Sequence, residues 1–387
     1  MISSLNIAGT ALAAASASFV ASVVIVASQK WHGKHSLDHD VSGVQKFHTI
    51  AVPRVGGIAV ITGITFTLLL LTLTDPFLAA ASGIRDAFKL LFAASPIFIA
   101  GTVEDLTKKV SVRARLGASI FSALLASWLL GATIVSLDIW GFDTLLTVAP
   151  VAIVVTAFVV AGGTNAINII DGFHGIAAST VIIILSAMGF LAWIQGDMFV
   201  TQLAVIGAAA AFGFLLVNYP TGRIFVGDGG AYLLGFWVSE VAVLLLIRNP
   251  SINAWQLLAI CAYPVIEVLF SIYRRRIIRK ADPGHPDCLH LHTLIYRRLV
   301  CRLLRPNPSK PWIRNATVVC FVGTWIAVMA VASLLLGRTI AGAVAVVLAQ
   351  VGLYLVVYAR LVRGRWSWTS VRIVTAGSMI AADAELP

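Results

Sequence analysis

Long apolar runs separated by short polar clusters make up most of this chain. Eleven stretches are candidates for membrane-spanning helices, which need about 20 apolar residues each. They lie near 5–28, 55–74, 88–103, 116–135, 146–165, 175–194, 201–218, 231–247, 253–273, 316–336 and 339–359. The period-two alternation of a membrane β-barrel is absent from these stretches. The pattern therefore predicts an all-α polytopic membrane protein, built as a bundle of about eleven transmembrane helices.

Composition supports the same class. The 387 residues are 59% hydrophobic and 12% charged, with a mean hydropathy of +0.93, which is far from the soluble globular range. No linker or low-complexity tract divides the chain, so we expect a single domain over 1–387. The first apolar run is long and lacks a basic leader, which predicts an uncleaved first span. The longest polar segment, 274–315, is a candidate substrate-gripping loop.

The basic residues indicate an orientation. With eleven spans, 24 of the 28 Lys and Arg residues fall in loops on one side, and cytoplasmic loops carry such an excess. We therefore expect an inner (cytoplasmic) membrane protein with its basic loops in the cytosol. The net charge of +11 suits anionic headgroups and phosphorylated substrates, and a nucleic-acid partner is not expected. The four cysteines show neither metal-binding nor disulfide spacing.

Five polar clusters fall on this basic side. The first, QKFHTIAVPRVGG (45–57), contains Lys46, His48 and Arg54 before a Gly-Gly pair. Basic side chains beside backbone without Cβ atoms suit a phosphate. The alternative is an ordinary positive-inside loop.

The second cluster, GTVEDLTKKVSVRARL (101–116), places Glu104 and Asp105 at the end of the third apolar stretch. Adjacent carboxylates at a membrane boundary raise each other's pKa or recruit a cation. Lys108 would lie on nearly the same face as Asp105 if the helix continued. Simple solvation of a helix end is the alternative.

The third cluster, NAINIIDGFHG (165–175), spaces Asn165, Asn168 and Asp171 by three residues, so a helix would align them on one face. Gly172 and Gly175 then allow the chain to break. Buried polar groups must be satisfied, so these side chains indicate a site. Hydrogen bonding between membrane helices is the alternative.

The fourth cluster, NYPTGRIFVGDGGAYLLG (218–235), sets Asp228 among three glycines. One carboxylate with water and substrate phosphates is a common Mg²⁺ arrangement. Phe225 offers a ring on which a base could stack, although an interfacial aromatic is more often a membrane anchor.

The fifth cluster, HPDCLHLHTLIYRR (285–298), holds His290 and His292. Alternate spacing would place both rings on one side of an extended strand. We favour phosphate contact by these histidines and the nearby arginines. Zinc binding with help from His285, Asp287 or Cys288 is the alternative, but the spacing of a closed zinc site is missing.

In this order, the clusters resemble the polyprenyl-phosphate N-acetylhexosamine-1-phosphate transferase family (glycosyltransferase family 4), over about residues 40–300. NAINIIDG, FVGDGG and HLH carry most of the likeness. The HLH loop and HTIAVPRVGG look more like the simple-sugar branch than the muramyl-peptide branch. Two positions depart from the family: Glu104 stands where many members have the first Asp of a pair, and His174 stands where many have Asp or Asn. In relatives the second position lies near the nucleotide base.

The resemblance implies transfer of N-acetylhexosamine-1-phosphate from a UDP-sugar to undecaprenyl (polyprenyl) phosphate, releasing UMP and starting a cell-surface glycan such as O-antigen. It implies a cytosolic Mg²⁺ site, with Mn²⁺ as the alternative ion, held by Asp228 and Asp171. The expected catalytic residues are Asp105, Glu104, Asp171, Asp228, His290 and His292. The expected substrate-binding residues are Lys46, His48, Lys108, Asn165, Asn168, Phe225 and His174.

Within this set, Asp105 is the candidate for orienting or deprotonating the lipid phosphate, and direct displacement is preferred over a covalent intermediate. A secondary transporter for an anionic solute is the rival function, because intramembrane carboxylates also mark transport paths. No internal repeat supports it. A lipid-binding scaffold would leave Asn168, Asp171 and Asp228 without a purpose. Homodimer formation stays open.

Overall fold

The computed structural model describes residues 4–38, 51–74, 82–278, 280 and 289–363, and these fold almost entirely into helices. The predicted all-α fold class is confirmed. The helices are α1 (Ser4–Ala27), α2 (Gln29–Ser36), α3 (Gly56–Thr74), α4 (Ser82–Thr107), α5 (Val112–Leu130), α6 (Asp143–Leu146), α7 (Ala149–Ile170), α8 (Ile176–Ile194), α9 (Met198–Asn218), α10 (Gly227–Arg248), α11 (Ala254–Ile260), α12 (Ala262–Tyr273), α13 (Leu291–Leu294), α14 (Cys301–Leu303), α15 (Trp312–Leu336) and α16 (Ile340–Val362).

Three shorter features connect these helices. The two-residue strands β1 (Leu37–Asp38) and β2 (Val52–Pro53) pair with each other in an antiparallel arrangement. Two π-helical stretches, Arg274–Ile278 and Ile295–Val300, follow α12 and α13. Both π-helical stretches belong to the long polar segment that the sequence indicated.

Every predicted apolar stretch contains a helix, but the count of eleven spans is not confirmed. Among the described residues, nine helices are long and apolar enough to cross a membrane, or ten if the α11–α12 pair is one span. That pair is bent by 81°. The remaining helix, α5, carries Arg113 and Arg115 in its first turn, which shortens its apolar run.

Helix α10 forms the centre of the bundle. It packs against α3, α4, α7, α8 and α9, and most of its 22 residues are buried. Small residues allow this close packing. A Cβ atom at Gly235 would lie 2.7 Å from the Thr164 carbonyl oxygen of α7. The Trp237 indole N–H donates to the Leu203 carbonyl of α9 at 2.9 Å.

The helix ends explain why the polar clusters meet. Helices α4 and α7 end at the same end of the bundle at which α3, α5 and α10 begin, as the contacts below show. The chain reverses between α7 and α8 at Gly175, whose φ of +78° suits a residue without a Cβ atom. At the start of α5, the Ser111 hydroxyl accepts the Ala114 N–H at 3.2 Å, which is a regular N-cap.

Candidate active site

Two polar segments that are far apart in sequence pair along their backbones. The Phe225 N–H donates to the Pro53 carbonyl at 2.8 Å, and the Gly56 N–H donates back to the Phe225 carbonyl at 2.9 Å. The Gly57 N–H then donates to the Val226 carbonyl at 2.8 Å. This pairing joins the first predicted cluster to the fourth, and it brings Arg54 beside Asp228.

The Asp105 carboxylate caps the start of α10. Its Oδ1 accepts the backbone N–H of Asp228 at 2.9 Å, and its Oδ2 accepts that of Gly229 at 2.9 Å. The residue is 4% exposed. Because the first N–H groups of a helix lack partners within the helix, a carboxylate here satisfies them and also favours the positive end of the helix dipole. Asp105 therefore fixes the backbone position of Asp228.

The Asp228 carboxylate lies among three donors. Arg54 and Asn168 each approach Oδ1 at 3.3 Å, and Arg115 pairs with Oδ2 at close range. The Arg54 guanidinium also lies 3.7 Å from Asp105, so it bridges the two carboxylates. The Asp228 side chain is 15% exposed, which leaves it within reach of solvent and of a soluble substrate. Donors from three separate segments of the chain thus converge on one carboxylate.

Glycine is required beside Asp228 because the backbones approach very closely. Gly227 has a φ of +72°, and a Cβ atom there would meet the Arg54 carbonyl and lie 2.5 Å from an Asp105 oxygen. A Cβ atom at Gly101 of α4 would lie 2.6 Å from the Gly229 Cα. The glycines of the FVGDGG segment therefore allow α3, α4 and α10 to touch at the site.

Asp171 caps the end of α7, on the same side as Asp228. Burial raises the pKa of Asp171 to about 7, with the Arg54 guanidinium opposing the shift and the Asp228 and Asp105 carboxylates adding to it. These interactions place the three carboxylates in one electrostatic cluster. Within the described part of the chain, no hydrogen bond contributes to this shift in the pKa of Asp171.

Of the two amides that precede Asp171, only one reaches the site. The Asn168 amide donates to Asp228, whereas the Asn165 amide donates to the Ala161 carbonyl of its own helix at 2.8 Å. Asn165 is partly buried. The three-residue spacing brought Asn168 to the Asp228 carboxylate but gave Asn165 a partner one turn back.

The acidic pair and the nearby lysine have separate environments. Glu104 accepts the Val110 N–H at 2.8 Å, so it holds the loop after α4. That helix ends at Thr107, and Lys108 has a φ of +57°, so the helical register expected to align Lys108 with Asp105 does not continue. Lys46 and His48 lie outside the described residues.

His174 is held firmly in the turn before α8. Its backbone N–H donates to the Asn315 side chain at 2.7 Å, and its Nδ1 lies 3.0 Å from the Pro220 carbonyl. Since a carbonyl only accepts, Nδ1 carries the proton. The half-buried Phe225 ring lies 5.9 Å from the His174 ring, tilted by 35°. The His174 and Phe225 rings therefore lie side by side, and His174 follows Asp171 by three residues.

The two histidines of the HLH segment reach the same region. Their rings stack at 5.3 Å with an 8° angle between planes, although His290 precedes α13 and His292 lies within it, rather than on an extended strand. A Cβ atom at Gly172 would lie 3.1 Å from the His292 Nε2, so this ring lies against the residue that follows Asp171. His285, Asp287 and Cys288, named for the zinc alternative, lie outside the described residues.

Comparison with known proteins bears on the identity of this constellation. A family model described as "Glycosyl transferase family 4" matches residues 87–246, which include Asp105, Asn168, Asp171 and Asp228. Over these residues the chain is similar to this family.

Several curated relatives carry transferase names. A "probable undecaprenyl-phosphate N-acetylglucosaminyl 1-phosphate transferase" of Bacillus subtilis is 28% identical over 258 residues, covering 64% of this chain and 66% of the relative. An "undecaprenyl-phosphate alpha-N-acetylglucosaminyl 1-phosphate transferase" of Yersinia pestis is 29% identical over 270 residues, covering 67% and 69%. A "phospho-N-acetylmuramoyl-pentapeptide-transferase" of Geobacillus is 29% identical over 202 residues, covering 50% and 60%. The chain thus spans about two thirds or less of the length of these relatives.

Three side chains of the site region were not predicted as site residues. Arg54 was named in the first cluster but not among the expected site residues, and Arg115 was only one of the residues in the basic loops. Nothing in the sequence singles out the arginines that meet a carboxylate. Glu267 of α12 is 1% exposed and contacts the His290 ring. A lone carboxylate within an apolar stretch is itself a signal of function, and this one could have been found from the sequence.

Proposed function

We propose that this protein transfers an N-acetylhexosamine-1-phosphate from a UDP-sugar to undecaprenyl phosphate, releasing UMP. The observation that carries the proposal is the convergence of Asp228, Asp171, Arg54, Arg115 and Asn168 at one end of the bundle, in a chain whose relatives bear the names of such transferases. One reactant is water-soluble and the other is anchored in lipid. The reaction therefore has to occur where helix ends meet water.

The donor atoms of the site suit a magnesium ion. Mg²⁺ usually binds one or two carboxylates and completes its octahedron with water and substrate phosphates. Within the described residues no three His, Cys, Asp or Glu side chains form a metal-binding group, which fits a shared site better than a closed protein cage. Asp171 and Asp228 would hold the ion, and the ion would neutralise charge that develops on the UMP leaving group. Mn²⁺ has the same preference for oxygen ligands.

The chain's own residues would do the rest of the work by positioning. Arg54 and Arg115, which pair with Asp228, can move to the diphosphate oxygens, since guanidinium groups bind phosphates bidentately. A phosphate monoester is already largely dianionic near neutral pH, with a second pKa of about 6. Attack by a lipid phosphate oxygen on the sugar-linked phosphorus then needs alignment more than a base, and direct displacement suffices.

Other residues keep their predicted roles within this proposal. Asp105 orients the start of α10, and proton removal from the lipid phosphate remains its alternative role. The His290 and His292 rings would contact phosphate oxygens, and Phe225 with His174 would border the base. Lys46, His48 and Lys108 would add positive charge from the basic loops. We further propose that this end of the bundle faces the cytosol at the inner membrane, because the excess of basic residues lies there. A homodimer stays open.

A transporter is not supported. The relatives are transferases by name, and the polar groups cluster at one end of the helices rather than near the middle of paired halves, as transporters arrange them. The simple-sugar branch is favoured by the HLH segment, although one relative of similar identity is named for the muramyl-peptide reaction.

The direct test is turnover by the purified protein in nanodiscs. Radiolabelled UDP-N-acetylhexosamines and, separately, the nucleotide-linked muramyl peptide are supplied with undecaprenyl phosphate, with and without Mg²⁺ or Mn²⁺. Labelled lipid and UMP are expected in equal amounts. Asp228→Ala should abolish transfer, while Asp86→Ala, which breaks an exposed ion pair with Lys89, should not. Turnover retained in Asp228→Ala would remove the assignment of this carboxylate. No labelled lipid from any donor would refute the proposed function.

A further inference from the structure

The buried Glu267 carboxylate holds the HLH segment at its base. Its Oε1 accepts a hydrogen bond from the His290 Nδ1 at 2.9 Å, and both of its oxygens accept the Leu291 N–H at 3.2 Å. The side chain is 1% exposed. A carboxylate only accepts, so Nδ1 carries the proton, and the opposite ring nitrogen, Nε2, is directed away from Glu267. One side chain thus sets the tautomer, the ring orientation and the local backbone.

The surroundings of Glu267 show that it belongs to the protein interior and not to a lipid-facing surface. The buried hydroxyls of Tyr263 and Tyr354 interact electrostatically with it. Tyr354 comes from α16, which packs against α11, α12 and α13. A buried charge is costly unless it is hydrogen-bonded. The donors to Glu267 are the His290 ring and the Leu291 N–H, so its carboxylate acts on the HLH segment.

Contacts lead from Glu267 to the carboxylate cluster. The His290 ring stacks on His292, and the His292 ring packs edge-on against Phe173 at 5.8 Å. His292 also lies against Gly172, which follows Asp171 directly. A shift of the His290 ring therefore has to shift the second histidine relative to the end of α7.

We propose that Glu267 is a positioning residue, which orients His290 and the backbone of Leu291 so that the HLH segment is aligned with the end of α7. This inference rests on the proposed transferase function for its effect on rate, although not for its effect on structure. Misplacing a catalytic group by about 1 Å can cost about 100-fold in rate. The loss should appear in kcat, because the His290 ring would act on the reacting phosphates and not on initial capture of the donor.

Two substitutions of Glu267 test whether its hydrogen-bond acceptors or its negative charge hold the HLH segment in place. Glu267→Gln keeps a carbonyl oxygen where Oε1 accepts both His290 and Leu291, and so it should preserve the arrangement. Glu267→Leu removes every acceptor. The matched control is Glu240→Leu in α10. Glu240 is also fully buried, neither of its oxygens has a hydrogen-bond partner within the described residues, and it lies about 18 Å along the helix from Asp228.

The experiment measures amide hydrogen exchange and turnover in nanodiscs. In Glu267→Leu, exchange in residues 289–294 should rise at least about tenfold, and kcat should fall at least about 100-fold, while KM for the UDP-sugar changes less than about threefold. Glu267→Gln should return both the exchange rate and kcat to within about fivefold of the wild type, and Glu240→Leu should match the wild type.

Unchanged exchange in Glu267→Leu would overturn the proposal. So would a Glu267→Gln variant in which residues 289–294 are protected from exchange but kcat does not recover. If the wild type itself forms no labelled lipid, the proposed function fails, and the exchange data alone still decide the role of Glu267.

Discussion

Replacing Asp105 with Asn should reveal whether this carboxylate acts through the fold or through chemistry. Both of its oxygens accept backbone N–H groups, from Asp228 and Gly229. Asn keeps one acceptor and turns an amide N–H toward the other backbone N–H. Losing a helix cap costs about 0.5–2 kcal/mol, and a buried donor without an acceptor costs about 1–3 kcal/mol. A stability loss of about 2 kcal/mol is therefore expected.

The same substitution should lower the rate, because it releases the backbone that carries Asp228. A displacement of about 1 Å corresponds to a loss of about 100-fold in kcat. Thermal unfolding in detergent and steady-state turnover measure the two effects in one preparation. Both are expected to fall together.

Asp197→Asn provides the matched control at the opposite end of the bundle. The Asp197 carboxylate caps α9 by accepting the Val200 N–H at 3.2 Å, and it pairs with Arg248. This variant should lose stability and keep its kcat. An Asp105→Asn variant that lost kcat but kept its unfolding temperature would refute the positioning argument, and it would favour proton transfer from the lipid phosphate.

Three further outcomes follow from the site geometry. Gly227→Ala should reduce kcat by at least about 100-fold, because its Cβ atom would displace the Arg54 and Asp105 segments. Gly117→Ala should leave kcat unchanged in the same assay, because a Cβ atom there meets nothing within 4 Å. Asn168→Ala should lower kcat about tenfold through loss of its hydrogen bond to a charged group, and Asn165→Ala should change it less than threefold. Because the pKa of Asp171 is raised to about 7, its carboxylate is protonated below that pH. The Mg²⁺ concentration for half-maximal rate should then rise about tenfold per pH unit below 7, and a rate titration in which Asp171→Asn keeps the same pH dependence would contradict this.

The common location of the clusters could be predicted because membrane helices alternate in direction. Once the apolar stretches are assigned, each cluster falls at a known end of a helix, and the helix ends that meet are fixed by connectivity. The approach of Asn168 to Asp228 followed from this logic. The bend of 81° at α11–α12 was not predicted, although Pro264 is a signal for it. Proline has no N–H, so residue 264 cannot donate to the carbonyl of Ile260, where α11 ends.

Individual partners lay beyond the sequence. Glu104 and Asp105 are adjacent and chemically alike, yet successive residues on a helix point about 100° apart. One therefore holds the loop at Val110, and the other caps α10. Arg54 meets Asp228 across 174 positions of chain. The pairing of Arg54 with Asp228 depends on how closely their two backbone segments approach. That distance is set by glycines, whose backbone conformation cannot be predicted from the sequence.

The charges of the site also argue for a cation during turnover. Three carboxylates, Asp105, Asp171 and Asp228, share one region with two guanidinium groups, Arg54 and Arg115. With all of them ionised, this cluster carries excess negative charge, and it would repel a diphosphate and a lipid phosphate. A divalent ion held by Asp171 and Asp228 would reverse the sign of this charge. Arg54 and Arg115 would then no longer be needed to balance Asp228, and their guanidinium groups could bind phosphate oxygens instead.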